Sequence, residues 1–280
     1  MIDLHTHTTA SDGTSTPEEL VAEAITEGVE ALAITDHDTL AGVEEAREPA
    51  ARAGLDLVFG IELSTRFAGR TVHLLGYFPN GSPGEPFRQW LAALQRSRAD
   101  RNRRMAERLR SLGVDITLEE VQSRGKSITG RPHFARALME KGYVSSIQQA
   151  FEDYLDESAK GYVERQEADF AESVALIRGS GGVPSAAHPI RLMRNAVVPL
   201  AQTIGAMRDV GLLALEAYHS DHSPANVREY EELARRFDLA VTGGSDFHGG
   251  NKPNIRLGSG ANGNLNVPAG LLVRLRELAS

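Results

Sequence analysis

Apolar residues along most of this chain fall in short unbroken runs, and each run ends in a cluster of polar ones. "IDLH", "EALAITDHD", "LDLVFGIEL", "RTVHLLGYF", "GGVPSAAHP", "LLALEAYHS" and "DLAVTGGSDFHG" read as seven buried strands. The intervening stretches have helical punctuation. Thr16 can cap a first helix that Pro17 opens, Glu18 and Glu19 charge and Gly28 closes; a second runs from about Thr39 to Ala53 and Gly54 ends it. A turn is expected at "AGR", and further helices at about 167–178, 198–210 and 225–237. The order is β-α-β-α-β-β until "PNGSPGEP", after which helix follows helix from about Pro86 to Gly161 before the alternation returns. That pattern predicts an α/β barrel, residues 1–82 and 163–280, interrupted by an all-helical insert at 83–162 that is expected to cover the active site. In a parallel barrel the C-terminal strand ends gather on one face, where loops build the site.

A length of 280 residues suits one such barrel with an insert. A formal charge of -8 argues against broad electrostatic attraction to nucleic acid or to an anionic membrane, so any basic site must be local. The absence of cysteine excludes disulfides, thiolate metal sites and a cysteine nucleophile. No leader pattern and no run of 18 apolar residues is present, so a cytoplasmic location, no membrane association and no stable protein partner are expected.

Six of the nine histidines, His5, His7, His37, His73, His188 and His248, sit at or just beyond an expected strand end. Asp12, Asp36, Glu62, Glu216 and Asp246 share those ends. Residues two apart in a strand project from one face, so His5 and His7 can chelate one cation with neutral imidazoles, and Asp246 and His248 repeat the spacing. Imidazole with carboxylate suits Zn, Mn or Fe. Several such ligands on one rim imply more than one ion.

"DLHTHTTASDG", "ITDHDT", "GIEL", "VHLLGY", "AAHP" and "GSDFHG" resemble the successive motifs of the PHP (polymerase and histidinol phosphatase) family, across essentially the whole chain outside the insert. Within it, the opening segment and the insert most resemble small bacterial enzymes that remove the 3'-phosphate from nucleoside 3',5'-bisphosphates, some of which also trim short RNA from the 5' end. The resemblance implies a distorted (β/α)7 TIM-like barrel with two or three divalent metal ions, Mn above Fe or Zn. It also implies that His5, His7, Glu62 and Asp246 hold one ion, Glu62, His73 and His188 a second, and Asp12, His37 and His248 a third.

Such ions acidify water and hold attacker and leaving group in line, which favours direct hydrolysis. No GxSxG or Walker A motif argues for another route. Asp246 is the candidate to orient or deprotonate the attacking water, and His219, with Glu216 near, to protonate the leaving oxygen.

The insert holds seven arginines between residues 96 and 110. On a helix Leu94, Met105, Leu109 and Leu112 can face a core while Arg101 and Arg104, with Asn102 between them, share another face and read phosphate. Arg131 and His133 sit at an expected helix start with Thr129 as cap, an anion site, and relatives with an RPH segment use it at the substrate phosphate. Lys160, Tyr162, Arg191, Arg194 and Lys252 are weaker candidates for substrate contact, for which a surface or packing role is the favoured reading. Aromatic content of 6% speaks against a long base-stacking platform, so a mononucleotide or very short oligonucleotide is expected as substrate. Rival readings are a phosphatase for another small phosphomonoester such as histidinol phosphate, and a non-catalytic metal-binding regulatory module. Little chain follows the last motif, which disfavours the latter.

Overall fold

The computed structural model describes residues 1–123, 129–164, 167–193 and 197–279; Arg194 lies outside them. In chain order, β1 (Ile2–Thr6), α1 (Pro17–Thr26), β2 (Ala31–Ile34), α2 (Ala41–Ala53), β3 (Asp56–Phe67) and β4 (Arg70–Phe78) come first. Helices α3 (Glu85–Ser111), α4 (Leu118–Gln122), α5 (Arg131–Glu140) and α6 (Ile147–Ala150) follow. Then come β5 (Ala168–Asp169), α7 (Phe170–Gly179), β6 (Val183–Ala186), α8 (Leu200–Asp209), β7 (Ala214–His219), α9 (Pro224–Arg236), β8 (Ala240–Gly244) and α10 (Gly270–Leu278). Caps explain the boundaries. Thr16 and Glu19 form a reciprocal capping box at α1, and Gly54, at φ 69°, ends α2 in the left-handed conformation that glycine tolerates.

The strands pair in the order β1-β2-β3-β4-β6-β7-β8, with β5 beside the far part of β3. This mixed sheet of seven strands is nearly closed into a barrel with helices around it. Closure occurs past the strand ends: the Asp246 N–H donates to the His5 carbonyl at 2.8 Å and the His7 N–H to the Phe247 carbonyl at 2.9 Å. Only glycine fits at 244, because a Cβ there would lie 2.2 Å from the His5 nitrogen. Inside, the buried Tyr77 on β4 donates its hydroxyl to the Leu4 carbonyl on β1 at 2.9 Å, so the ring fills the core without stranding its polar end.

The sheet is not wholly parallel. β4 runs antiparallel to both β3 and β6. Ala68 at φ 48° and Gly69 at φ 77° form the two-residue turn that joins it to β3, the mirror-type geometry that suits the twist of a hairpin. β3 therefore continues to Phe67, and Glu62 lies in mid-strand rather than at a strand end.

The chain divides into two compact units, Met1–Gln89 with Ala168–Ser280, and Trp90–Glu167. Leu4, Val58, Tyr77, Val183 and Leu275 belong to a core of the first; Met105, Leu109, Ile116, Phe134 and Leu138 belong to that of the second. The expected arginine face on α3 is corrected. Arg101 and Asn102 are buried with Met105, Ala106 and Leu109, while Arg104 is exposed and Leu112 is 39% exposed. Steps of four residues deviate by about 40° on a helix and steps of three by about 60°, so Arg101 aligns with Met105 and Leu109.

Candidate metal centre

The first unit gathers the histidines and carboxylates at one end of the barrel, each by a different local device. His5 ends its run inward on β1, and His7 follows just after the strand, its ring centroid 5.2 Å from that of His5. His37 lies beyond β2 and bridges to Glu62 in mid-β3. His73 is near the start of β4, not its end; because β4 runs backwards, its start meets the ends of its neighbours. His188 at φ 28° and Asp246 at φ 58° stand on strained turns after β6 and β8. Asp246 and His248 thus belong to a loop rather than a strand face, and the His248 Nδ1 donates to the Asp246 carbonyl at 2.8 Å.

Ligand atoms about 2.1 Å from a shared ion lie about 3.0–3.4 Å apart along the edges of a coordination polyhedron. Glu62 Oε2 is 3.2 Å from His5 Nε2, 3.3 Å from His7 Nε2 and 3.3 Å from His37 Nδ1. Asp246 Oδ1 is 3.3 Å from His7 Nε2 and 3.6 Å from His5 Nε2. Glu62 Oε1 is 2.9 Å from His73 Nδ1 and 3.0 Å from His188 Nε2. Asp12 Oδ1 is 3.2 Å from His248 Nε2 and 3.6 Å from His7 Nδ1. Among the described residues four sets have the spacing for ions, His5, Glu216 and His219 and three more: His5, His7, Glu62 and Asp246; His7, Asp12, His37 and His248; and His37, Glu62 and His73. The last three overlap at His7, His37 and Glu62, whereas the sequence divides these ligands differently. Buried nitrogens without a hydrogen-bond partner among the described residues, His5 Nε2, both of His7, His37 Nδ1 and His188 Nδ1, fit the cluster to cations.

Charge points the same way. Burial opposes ionisation of Glu62, yet the imidazoles of His37, His73 and His5 hold its carboxyl well below the usual range. Asp246 is likewise kept anionic against burial by His5, His219, His7 and Lys252. Desolvation dominates at His37 and His188, pushing both to about 3 and leaving them neutral, as ligands must be.

Surrounding contacts orient these groups. The ionised Glu216 accepts from His5 Nδ1 at 2.8 Å. Asp246 Oδ2, which the sequence left free to accept a proton, faces Arg191 at 2.9 Å, Lys252 at 2.5 Å and His219 Nε2 at 3.4 Å. Arg191 and Lys252, both partly exposed, are therefore part of the site. The sequence offers both only as weak candidates, since Arg191, inside the short 3-10 helix Pro189–Met193, and Lys252, just past another, reach Asp246 only in the folded barrel. His219 Nδ1 accepts the Asp221 N–H at 2.9 Å, so the proton of the neutral ring sits on Nε2. Asp36 is structural: it accepts from the Thr8 N–H and hydroxyl at 2.8 and 2.7 Å and from the Ser11 hydroxyl at 2.6 Å, shaping the loop that carries Asp12.

The second unit holds the remaining candidates. Gly130, not Thr129, caps α5, and the His133 Nδ1 accepts the Gly130 N–H at 3.1 Å. Asn102 donates to the Thr129 carbonyl at 2.7 Å, which brings it to the segment preceding Arg131, and its buried Oδ1 has no hydrogen-bond partner among the described residues. Arg131 reaches the Leu155 carbonyl at 3.4 Å, and Arg104 the Glu164 carbonyl at 3.3 Å. Lys160 lies over the Tyr154 ring, a packing contact.

Residues 3–168 match the family model of the PHP domain. The chain is 38% identical over 251 residues to the 5'-3' exoribonuclease Rnm of Escherichia coli K12, covering 88% of this chain and 84% of that protein. It is 32% identical over 250 residues to the 3',5'-nucleoside bisphosphate phosphatase of Chromobacterium violaceum, covering 88% and 87%. A crystal structure from Bifidobacterium adolescentis, described as a metal-dependent phosphoesterase, superposes with a TM-score of 0.83 at 34% identity, over 99% of this chain and 96% of that one.

Proposed function

The chain belongs to the PHP domain family of metal-dependent phosphoesterases, and from that premise we propose that it removes the 3'-phosphate of nucleoside 3',5'-bisphosphates, leaving a 5'-mononucleotide. The observation that carries the reading is the set of overlapping ligand groups around Glu62, whose spacing and partnerless nitrogens suit adjacent divalent ions. Manganese is the first ion to test and the cytoplasm the compartment. The names of the E. coli and C. violaceum relatives support a nucleotide substrate, and short 5'-phosphorylated RNA meets the same requirement.

His5, His7, Asp12, His37, Glu62, His73, His188, Asp246 and His248 would hold the ions. When bound, such ions polarise a phosphoester and make water acidic enough to attack near neutral pH. Asp246 presents Oδ1 to the ligand cluster and orients the attacking water, while Arg191 and Lys252 on its Oδ2 keep it ionised and bring positive charge to where phosphoryl oxygens gather. His219, with its proton on Nε2, supplies that proton to the leaving 3' oxygen. Arg131 and His133 of the second unit are the proposed contacts of the nucleotide, with Arg131 on its 5'-phosphate.

The test compares initial rates with Mn(II) on adenosine 3',5'-bisphosphate, 3'-AMP, 5'-AMP and histidinol phosphate, for wild type and Arg131→Ala. Strong preference for the bisphosphate, abolished by the substitution, is expected. A flat profile across the substrates would overturn the assignment.

A further inference from the structure

We propose that Glu216 is a positioning residue: one buried carboxylate that turns the Nε2 of His5 toward the metal centre and, through its second oxygen, anchors the backbone that carries His188. The inference rests on the metal-centre reading above and adds to it a residue outside the ligand set.

Glu216 Oε1 lies 2.8 Å from His5 Nδ1, and Glu216 Oε2 accepts the His188 N–H at 2.6 Å. All three residues are buried. An ionised carboxylate can only accept, so the neutral His5 ring must carry its proton on Nδ1 and present Nε2 to Glu62 and Asp246. A bulge in β7 makes this aim achievable. Glu216 pairs with Thr242 and Tyr218 with Gly243, so Ala217 is an extra residue, and Glu216 and His219 face the site although three positions apart. His5, Glu216 and His219 also have the spacing of an ion site. That alternative fails on tautomers, because His219 Nδ1 accepts the Asp221 N–H and its Nε2 is a donor.

Both contacts require an acceptor, and an amide has only one. In Glu216→Gln, if the amide oxygen keeps the His188 N–H, its NH2 faces His5 Nδ1 and drives the proton to Nε2, where it competes with the metal. If the amide turns over, the His188 backbone loses its acceptor.

The experiment measures Mn(II) affinity and ions bound per chain for wild type and Glu216→Gln, with long-range proton–nitrogen NMR of histidine-labelled, Zn-loaded protein. Affinity is expected to fall 10- to 100-fold in the variant. In wild type His5 should show a protonated Nδ1 and a metal-shifted Nε2. Wild-type affinity in the variant, or His5 bound to metal through Nδ1, would overturn the proposal, and the NMR result decides it alone if the variant does not fold. Failure of wild type to bind any divalent ion would instead overturn the metal-centre reading on which it rests.

Discussion

A Cβ on Gly42 would lie 1.9 Å from Asp36 Oδ2 and 2.6 Å from the Thr8 hydroxyl oxygen, so α2 can approach the loop carrying Asp12 only because this position lacks a side chain. Gly42→Ala should destabilise the protein by about 1–3 kcal/mol, read by thermal melting, and weaken metal retention with it. His7 has a pH signature. Burial works against its charge, but Asp246, Glu62 and Asp12 raise it to about 9. With a folded value above the ordinary imidazole value of 6.5, protonated His7 stabilises the metal-free protein fully below pH 6.5, and that contribution is lost as pH rises through about 9. The melting temperature of metal-free protein should therefore fall over that interval, and metal uptake within it should release protons, measured by titration calorimetry in buffers of different ionisation enthalpy. At this scale the histidine spacing was legible, because imidazoles at strand ends are an uncommon pattern. The work of Asp36, Arg191 and Lys252 was not, because a carboxylate between hydroxyls and one between imidazoles read alike in sequence.

Among the elements, the β3–β4 hairpin governs how the rim is populated. Its two turn residues both have positive φ, which alanine at 68 tolerates poorly and glycine at 69 accepts. Gly69→Val should cost about 1–2 kcal/mol, whereas Ala68→Gly should be neutral or slightly stabilising, both read as shifts in denaturant midpoint. The turn at "AGR" and the strands around it were visible in the sequence. The direction of β4 was not. Its apolar run looks the same in either orientation, so His73 was placed at a strand end when it is near a strand start. On α3 the apolar spacing identified Met105 and Leu109 but misjudged Leu112 and Arg101, since a long guanidinium stem can lie on a buried stripe.

For the whole molecule, the barrel was legible because strand runs and capped helices alternate, and each half of that alternation has its own physical signal. Each of the two compact units has its own core, and every candidate ligand lies in the first. Metal should therefore stabilise the units unequally. An ion at about 100 times its Kd contributes about 2.7 kcal/mol to the state that binds it. Hydrogen exchange with and without Mn(II) should show slower exchange in β1, β3 and β6 and little change in the amides of residues 105–138. Equal slowing in both units would show that they open as one.

The hydrogen bonds joining His5 and His7 to Asp246 and Phe247 link residues that are far apart in the sequence. During synthesis His5 leaves the ribosome before Asp246, with nearly every other strand made between them. A growing chain therefore holds only an unfinished set of ligands. Its capacity to cut phosphoesters is withheld, by topology alone, until residues 246–248 have been made.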